Sequence, residues 1–282
     1  MVPFTPDQPV RPLTRAVAAL LVPVLVAAAV GLYGWPGATE TTFAWTIKPD
    51  LTPLLMGAGY ASGVVFFLLV ASRGRRWLEV SFGFVGITAF ATLMGIATVI
   101  HWDKFNHDHP AFWAWVGLYA VTPFLVAGLW VYNGGWRPLR GEVPEPRVPG
   151  WARLALGLSG GAAFVVGLLI FVRPSLAIEH WPWDVSPLTA RVVASFTALN
   201  VGWAAAAVDG RWAAIRIPAL SQLVGFALLL LGILRAHGDL HTGRPATWIY
   251  IASVSVLVLL LGRLLATMST RRSAVPGVPL PD

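Results

Sequence analysis

Residues 81–100 read SFGFVGITAFATLMGIATVI, a run without a single charged side chain, and are followed at once by His101-Trp102-Asp103. As an α-helix at 1.5 Å per residue, such a run is about 30 Å long, the thickness of bilayer hydrocarbon. Its apolar residues do not alternate as in a barrel strand. A helix that satisfies its own backbone hydrogen bonds is therefore the reading that lipid permits. Extended back to Leu78 the run becomes a span of 78–100, and seven more can be read at 15–34, 51–71, 111–133, 152–172, 187–208, 217–236 and 245–266. The first, which follows Arg11 and Arg15, is too long for a signal peptide and lacks a small-x-small cleavage site, so it is expected to be a retained helix.

The whole chain agrees with this local reading. Of its 282 residues 56% are hydrophobic and 12% charged, with a mean hydropathy of +0.69, whereas soluble domains carry roughly 25% charged residues. A soluble domain, a disordered chain and a nucleic-acid partner are excluded on that ground, despite a net charge of +7 and a pI near 10.5. The basic excess instead reports orientation. Fourteen of the twenty Lys and Arg residues fall on one set of loops and chain ends, which predicts a multi-pass cell-membrane protein with both termini cytoplasmic. The absence of cysteine removes disulfides, thiolate metal sites and c-type haem attachment. The only lysines, Lys48 and Lys104, lie in polar segments, so a retinal Schiff base is excluded as well.

The chain also resembles itself at a shift that shortens from 138 to 135 residues. Arg15 matches Arg153, and Trp45-Thr46-Ile47-Lys48-Pro49 matches Trp183-Asp184-Val185-Ser186-Pro187. Leu51-Thr52 matches Leu188-Thr189, His101 and Asp103 match His237 and Asp239, and Trp113 matches Trp248. The expected architecture is an all-α integral membrane protein of eight transmembrane helices arranged as two tandem parallel four-helix repeats. Its parts are a cytoplasmic segment 1–14, repeats 15–133 and 152–266, a cytoplasmic Pro-rich linker 134–151, and a disordered cytoplasmic tail 267–282. An even number of spans makes both repeats enter the membrane in one sense.

All six histidines, His101, His107, His109, His180, His237 and His241, fall on the predicted outer side, with Glu40, Asp50, Asp103, Asp108, Glu179, Asp184 and Asp239. The repeated His-x-Asp ends helices three and seven, where the helix C-terminus favours a cation. If helix seven continues through them, His237 and His241 share a face at a metal-ligand spacing, with Phe105 opposite His241 in the first repeat. His101, Asp103, His237, Asp239 and His241 are thus the candidate set for a divalent metal. Haem fits less well, because its axial ligands usually lie deeper. The competing reading is that these groups cap helix ends, since the spacing matches no specific metal signature.

Arg191 lies one turn beyond Pro187 inside helix six, where its repeat partner is Leu54. Intramembrane charge is a functional candidate by default. Asp184, Glu179 or Asp239 are its expected partners, with snorkelling to the interface as the alternative. Ser195 shares its face, and Trp45 and Trp183 are candidates to wall a shared outer pocket. The candidate ligand-binding set is therefore Trp45, Trp183, Asp184, Arg191 and Ser195. Asn200, on the opposite face, is expected to bridge to another helix.

The segments IKPDLTPLLMGAGY, HWDKF and WPWDVSPLTAR resemble an uncharacterised family of bacterial multi-span membrane proteins. The resemblance covers nearly the whole chain and implies a bacterial inner membrane, but no activity and no site. Three readings of function follow. The first is a non-catalytic binding or assembly protein whose His-, Asp- and Trp-rich outer face meets a small ligand or another membrane subunit. The others are a small-solute transporter built on the two repeats, and a metal- or haem-dependent enzyme with an outer-face site.

Overall fold

The computed structural model describes residues 8–135 and 146–273, with side chains to residue 269; the middle of the expected linker, 136–145, and the tail from 274 lie outside the described residues. The described chain is about 80% helical and has no strand. It holds eight helical segments long and apolar enough to cross a membrane, and it is a multi-pass helical membrane protein.

The long helices are α1 (Pro12–Gly34), α3 (Leu51–Ala71), α4 (Ser81–Ile100), α5 (Pro110–Tyr132), α6 (Gly150–Val172), α10 (Trp212–Arg235) and α11 (Pro245–Ser273), with short helices α2 (Thr39–Thr42) and α7 (Ser175–His180) between them. The remaining span is made of α8 (Pro187–Ala198) and α9 (Val201–Asp209). Prolines at the first positions of α1, α5, α8 and α11 start these helices, since the missing N–H is an orphan there anyway. Interior Pro23, Pro123 and Pro218 are carried without ending their helices. Helix α11 runs past the expected boundary at 266, to Ser273.

Span six differs from the expected single helix. At Leu199–Asn200 the backbone tightens into i→i−3 bonds, Asn200 N to Thr197 O and Gly202 N to Leu199 O. The Asn200 side chain causes this by donating Nδ2 to the Thr197 carbonyl at 2.8 Å, which competes with helix continuation. Asn200 thus bonds within its own span instead of bridging to another helix.

Helices α3 and α8–α9 form the interior. Helix α3 packs on α1 and α10, α4 packs on α5, α8 and α9, α6 packs on α8 and α9, and α10 packs on α11. Leu20, Val99, Phe124, Val172 and Leu259 point outward from the peripheral helices, as a lipid-facing belt requires. Close approach is made by small residues: a Cβ on Gly57 would lie 2.8 Å from Tyr33 of α1, and one on Gly167 2.9 Å from the Ala194 carbonyl.

Two similar clasps close the arginine-rich end. Val10 N donates to Arg75 O and Trp77 N to Gln8 O, both at 2.9 Å; Val148 N donates to Gly210 O at 3.0 Å and Trp212 N to Pro146 O at 2.8 Å. Beside them Arg15 Nε reaches the Ala71 carbonyl and Arg153 Nε the Ala207 carbonyl, each at 3.1 Å, the guanidinium groups serving the orphan acceptors at helix ends.

Candidate functional site

At the opposite, histidine-bearing end, each imidazole has its own partner. Helix α4 stops at Ile100, and His101 leads into a 3₁₀ turn over Trp102–Lys104. His101 Nε2 lies 2.8 Å from Arg191 Nη1. Arginine can only donate, so this nitrogen is the unprotonated one. Burial pushes the His101 pKa down, and the neighbouring Arg191 charge pushes it further in the same direction. Asp103 turns away to an exposed ion pair with Lys104 at 2.9 Å, which holds its carboxyl below the usual range and raises the lysine.

The second His-x-Asp is distributed differently. Helix α10 ends at Arg235 and is followed by a 3₁₀ turn over His237–Asp239, so no α-helix continues through His237 and His241 to put them on one face. His237 Nδ1 donates to the Leu234 carbonyl at 3.2 Å, and His241 Nε2 donates to Asp184 Oδ1 at 2.8 Å. Asp239 crosses to the first half of the chain, where its Oδ2 accepts from Leu51 N at 3.1 Å and caps α3. Among the described residues no three His, Asp or Glu side chains are placed to hold one metal ion. His109 caps α5 by accepting from Ala111 N through Nδ1, with Nε2 on the Thr41 carbonyl; His107 donates to Trp102 O, and His180 lies 3.9 Å from Glu179.

The expected ligand set is also dispersed. Trp45 is buried among Phe43, Phe105 and Trp115, while Trp183 is fully buried against Trp181 and Tyr250 and donates Nε1 to Thr52 at 2.9 Å. The two indoles sit in separate aromatic clusters and line neither cavity described below. Asp184 is exposed, and Ser195 spends its hydroxyl on the Arg191 carbonyl at 2.8 Å. The partner of Arg191 is His101, not one of the expected acids. Two matching contacts complete this end: Asn106 N donates to Ala44 O and His241 N to Pro182 O, both at 2.8 Å, and Trp113 and Trp248 donate Nε1 to the His107 and Thr242 carbonyls.

The concave features lie deeper, among the spans. A first cavity of about 110 Å³ is bounded by α1, α3, α4, α5, the α8–α9 break and α10, and its lining includes Leu21, Leu25, Gly63, Gly86 and Leu118. At its edge the Tyr60 and Tyr119 hydroxyls satisfy one another at 2.7 Å. A second cavity of about 220 Å³ lies between α3, α6, the same break, α10 and α11. Its lining is mainly apolar but carries Ser62, Ser159, Thr197, Asn200, Gln222 and Ser253, with Trp181, Trp203 and Tyr250.

Gln222 lines both cavities. It lies in the middle of α10, about 15 Å along the helix from Trp212, and its carboxamide makes no hydrogen bond among the described residues. The buried Trp181 Nε1 on the wall of the second cavity has no partner either. A buried unpartnered donor such as the indole N–H costs about 1–3 kcal/mol, whereas the half-buried Gln222 carboxamide is open to whatever occupies the cavities it lines. Charges and imidazoles are the strongest polar signals in the sequence, and neither kind lines the second cavity. Its one legible signal was a glutamine amid an apolar span. Compared with protein-family models, with curated proteins and with solved structures, the chain matches none of them.

Proposed function

We propose that this protein is a non-catalytic binding protein of the cell membrane, built from two parallel four-span repeats, that holds a small, uncharged and largely apolar molecule in its second cavity. The observation that carries the reading is the Gln222 carboxamide, unpartnered at mid-membrane depth among the described residues, in a lining that is mainly apolar. Small-molecule sites are commonly apolar concavities with a few convergent polar groups. An amide recognises a neutral hydroxyl, carbonyl or amide head, and the lining offers no charge to an ion.

The repeat is supported by contacts that recur at shifts of 135 to 138 residues. The paired clasps at the arginine-rich end, the Arg15 and Arg153 bonds and the Trp113 and Trp248 bonds are each such a pair. The like bonds of Asn106 and His241 favour pairing Asn106, rather than Phe105, with His241. The packing of α3 on α10 and of α4 on α8–α9 exchange under the same operation. The cavities correspond too: Leu21, Leu25, Gly63, Gly86 and Leu118 of the first match Ser159, Ala163, Asn200, Gln222 and Ser253 of the second. At four of these five matched positions the second cavity has a polar residue where the first has an apolar one or glycine. The excess of arginine at the clasped end supports cytoplasmic termini.

Transport is the second reading. Gly59, Ser62, Phe196, Leu199, Trp203 and Gln222 line both cavities and form a shared wall, which includes the broken segment of span six.

The test is organic extraction and mass spectrometry of protein purified in mild detergent, alongside binding of the neutral dye Nile red. Ala163→Trp, which fills the second cavity, is expected to lose a stoichiometric small molecule held by the unaltered protein and to weaken dye binding at least tenfold. Identical extracts and equal dye binding from both proteins would overturn the assignment.

A further inference from the structure

We propose that Arg191 and His101 form an anion site for a phosphate group at the junction of α4, α6 and α8. The proposal is independent of the cavity reading, since Arg191 lines neither cavity. Arg191 lies in the first turns of α8, about 6 Å along the helix from Pro187. Its guanidinium carbon lies 5.9 Å from the centre of the Phe171 ring of α6, and Nη1 is bound to His101 Nε2. It makes no ion pair among the described residues; Nε is buried without a partner and Nη2 has no hydrogen bond. One positive charge is thus held in the membrane boundary against a neutral imidazole and a benzene ring, an arrangement that costs free energy until an anion meets it.

The other arginine at a comparable place behaves differently. Arg235, at the end of α10, donates Nη1 to the Tyr33 carbonyl at 2.6 Å and Nη2 to that of Gly34 at 3.0 Å, so the C-terminal acceptors of α1 use its fork. Arg191 makes no such bond to the end of α6, and its Nη2 stays available. The exposed Arg173 adds a second cation just beyond Phe171. The surroundings fix the class of anion. Val99, Ile100 and Val172 beside the site point outward into the lipid-facing belt, and Trp102 stands 41% exposed where the helix emerges. A guanidinium at this level, with apolar side chains facing lipid beside it, matches a phosphodiester headgroup, whose charge it meets and whose oxygen its Nη2 can bind. Free phosphate offers the same oxygens and is distinguished by experiment.

Thermal unfolding of the full chain in detergent is measured with added phosphatidylglycerol, phosphatidylcholine or millimolar inorganic phosphate, for the unaltered protein, for Arg191→Leu and for Lys48→Gln. Leucine is the residue that α3 buries completely at Leu54, so the substitution suits a membrane helix. Phosphatidylglycerol is expected to raise Tm by about 5 °C more than phosphatidylcholine in the unaltered protein and in Lys48→Gln, and the difference is expected to vanish in Arg191→Leu. A rise with inorganic phosphate alone that is lost in Arg191→Leu assigns the site to the free ion. No anion-specific rise, or one that Arg191→Leu keeps, overturns the proposal. Should Arg191→Leu not fold, native mass spectra of the unaltered protein decide: equal retention of the two lipids overturns it.

Discussion

Gly86 of α4 and Gly202 of α9 meet backbone to backbone: a Cβ on Gly86 would lie 2.4 Å from the Leu199 carbonyl oxygen, and a Cβ on Gly202 2.6 Å from that of Phe82. Both obstacles are main chain, so neither can move aside without shifting a helix. Association inside lipid depends on such approach, because apolar surface gains nothing by leaving hydrocarbon chains. Gly86→Leu and Gly202→Leu are each expected to cost at least about 1–3 kcal/mol, measured by denaturant or thermal unfolding in detergent. Gly117→Ala, where a Cβ meets open space, serves as the control and is expected to gain up to about 1 kcal/mol from helix propensity.

Asp239 separates a capping role from a metal-binding one. Its carboxylate accepts from Leu51 N, the first residue of α3, across 188 residues of chain. Asp239→Ala is expected to cost about 1 kcal/mol, and Asp239→Asn, which keeps an acceptor oxygen, only a small part of that. Metal analysis of the purified protein completes the test: a divalent ion that is present in stoichiometric amount and lost in Asp239→Asn would reverse this assignment.

The spans were legible in the sequence because lipid imposes length and apolarity on every helix, and Pro12, Pro110, Pro187 and Pro245 mark starts that composition alone would blur. The break at Asn200 was not legible, because the same asparagine can reach a neighbouring helix or its own turn, and only packing at Gly86 and Gly202 decides. The histidines were legible as a cluster on one end but not as individual contacts. Spacing gives depth in the membrane, whereas a ligand set needs directions, and the 3₁₀ turns after Ile100 and Arg235 rotate those directions apart. A cavity has no sequence of its own; it arises from the packing of α3, α6, α8–α9, α10 and α11, and Asn200 and Gln222 were its only polar amides.

His101 makes stability depend on pH in a defined direction. Its pKa in the folded protein lies below the ordinary histidine value of 6.5, through burial first and Arg191 second. Below pH 6.5 the unfolded chain takes up a proton that the folded protein resists, so stability present above that value is lost as pH falls towards the folded pKa. In His101→Gln, which offers Arg191 a neutral acceptor that does not titrate, Tm is expected to fall less between pH 7.5 and 5 than in the unaltered protein. Parallel Tm curves for the two proteins would contradict the assignment.

Tyr60 and Tyr119 provide a test in which two substitutions cost less than one. Their hydroxyls lie 2.7 Å apart, both side chains are buried, and neither hydroxyl has another partner among the described residues. Removing one hydroxyl strands the other in an apolar setting, a penalty of about 1–3 kcal/mol, whereas removing both leaves two rings that no longer need a partner. Tyr60→Phe and Tyr119→Phe are therefore each expected to lower stability by that amount, and the double variant by less than either alone. Unfolding free energies of the four proteins close a double-mutant cycle. Additive losses would mean that each hydroxyl meets a partner of its own, such as water entering from the first cavity, which Tyr60 and Tyr119 both line.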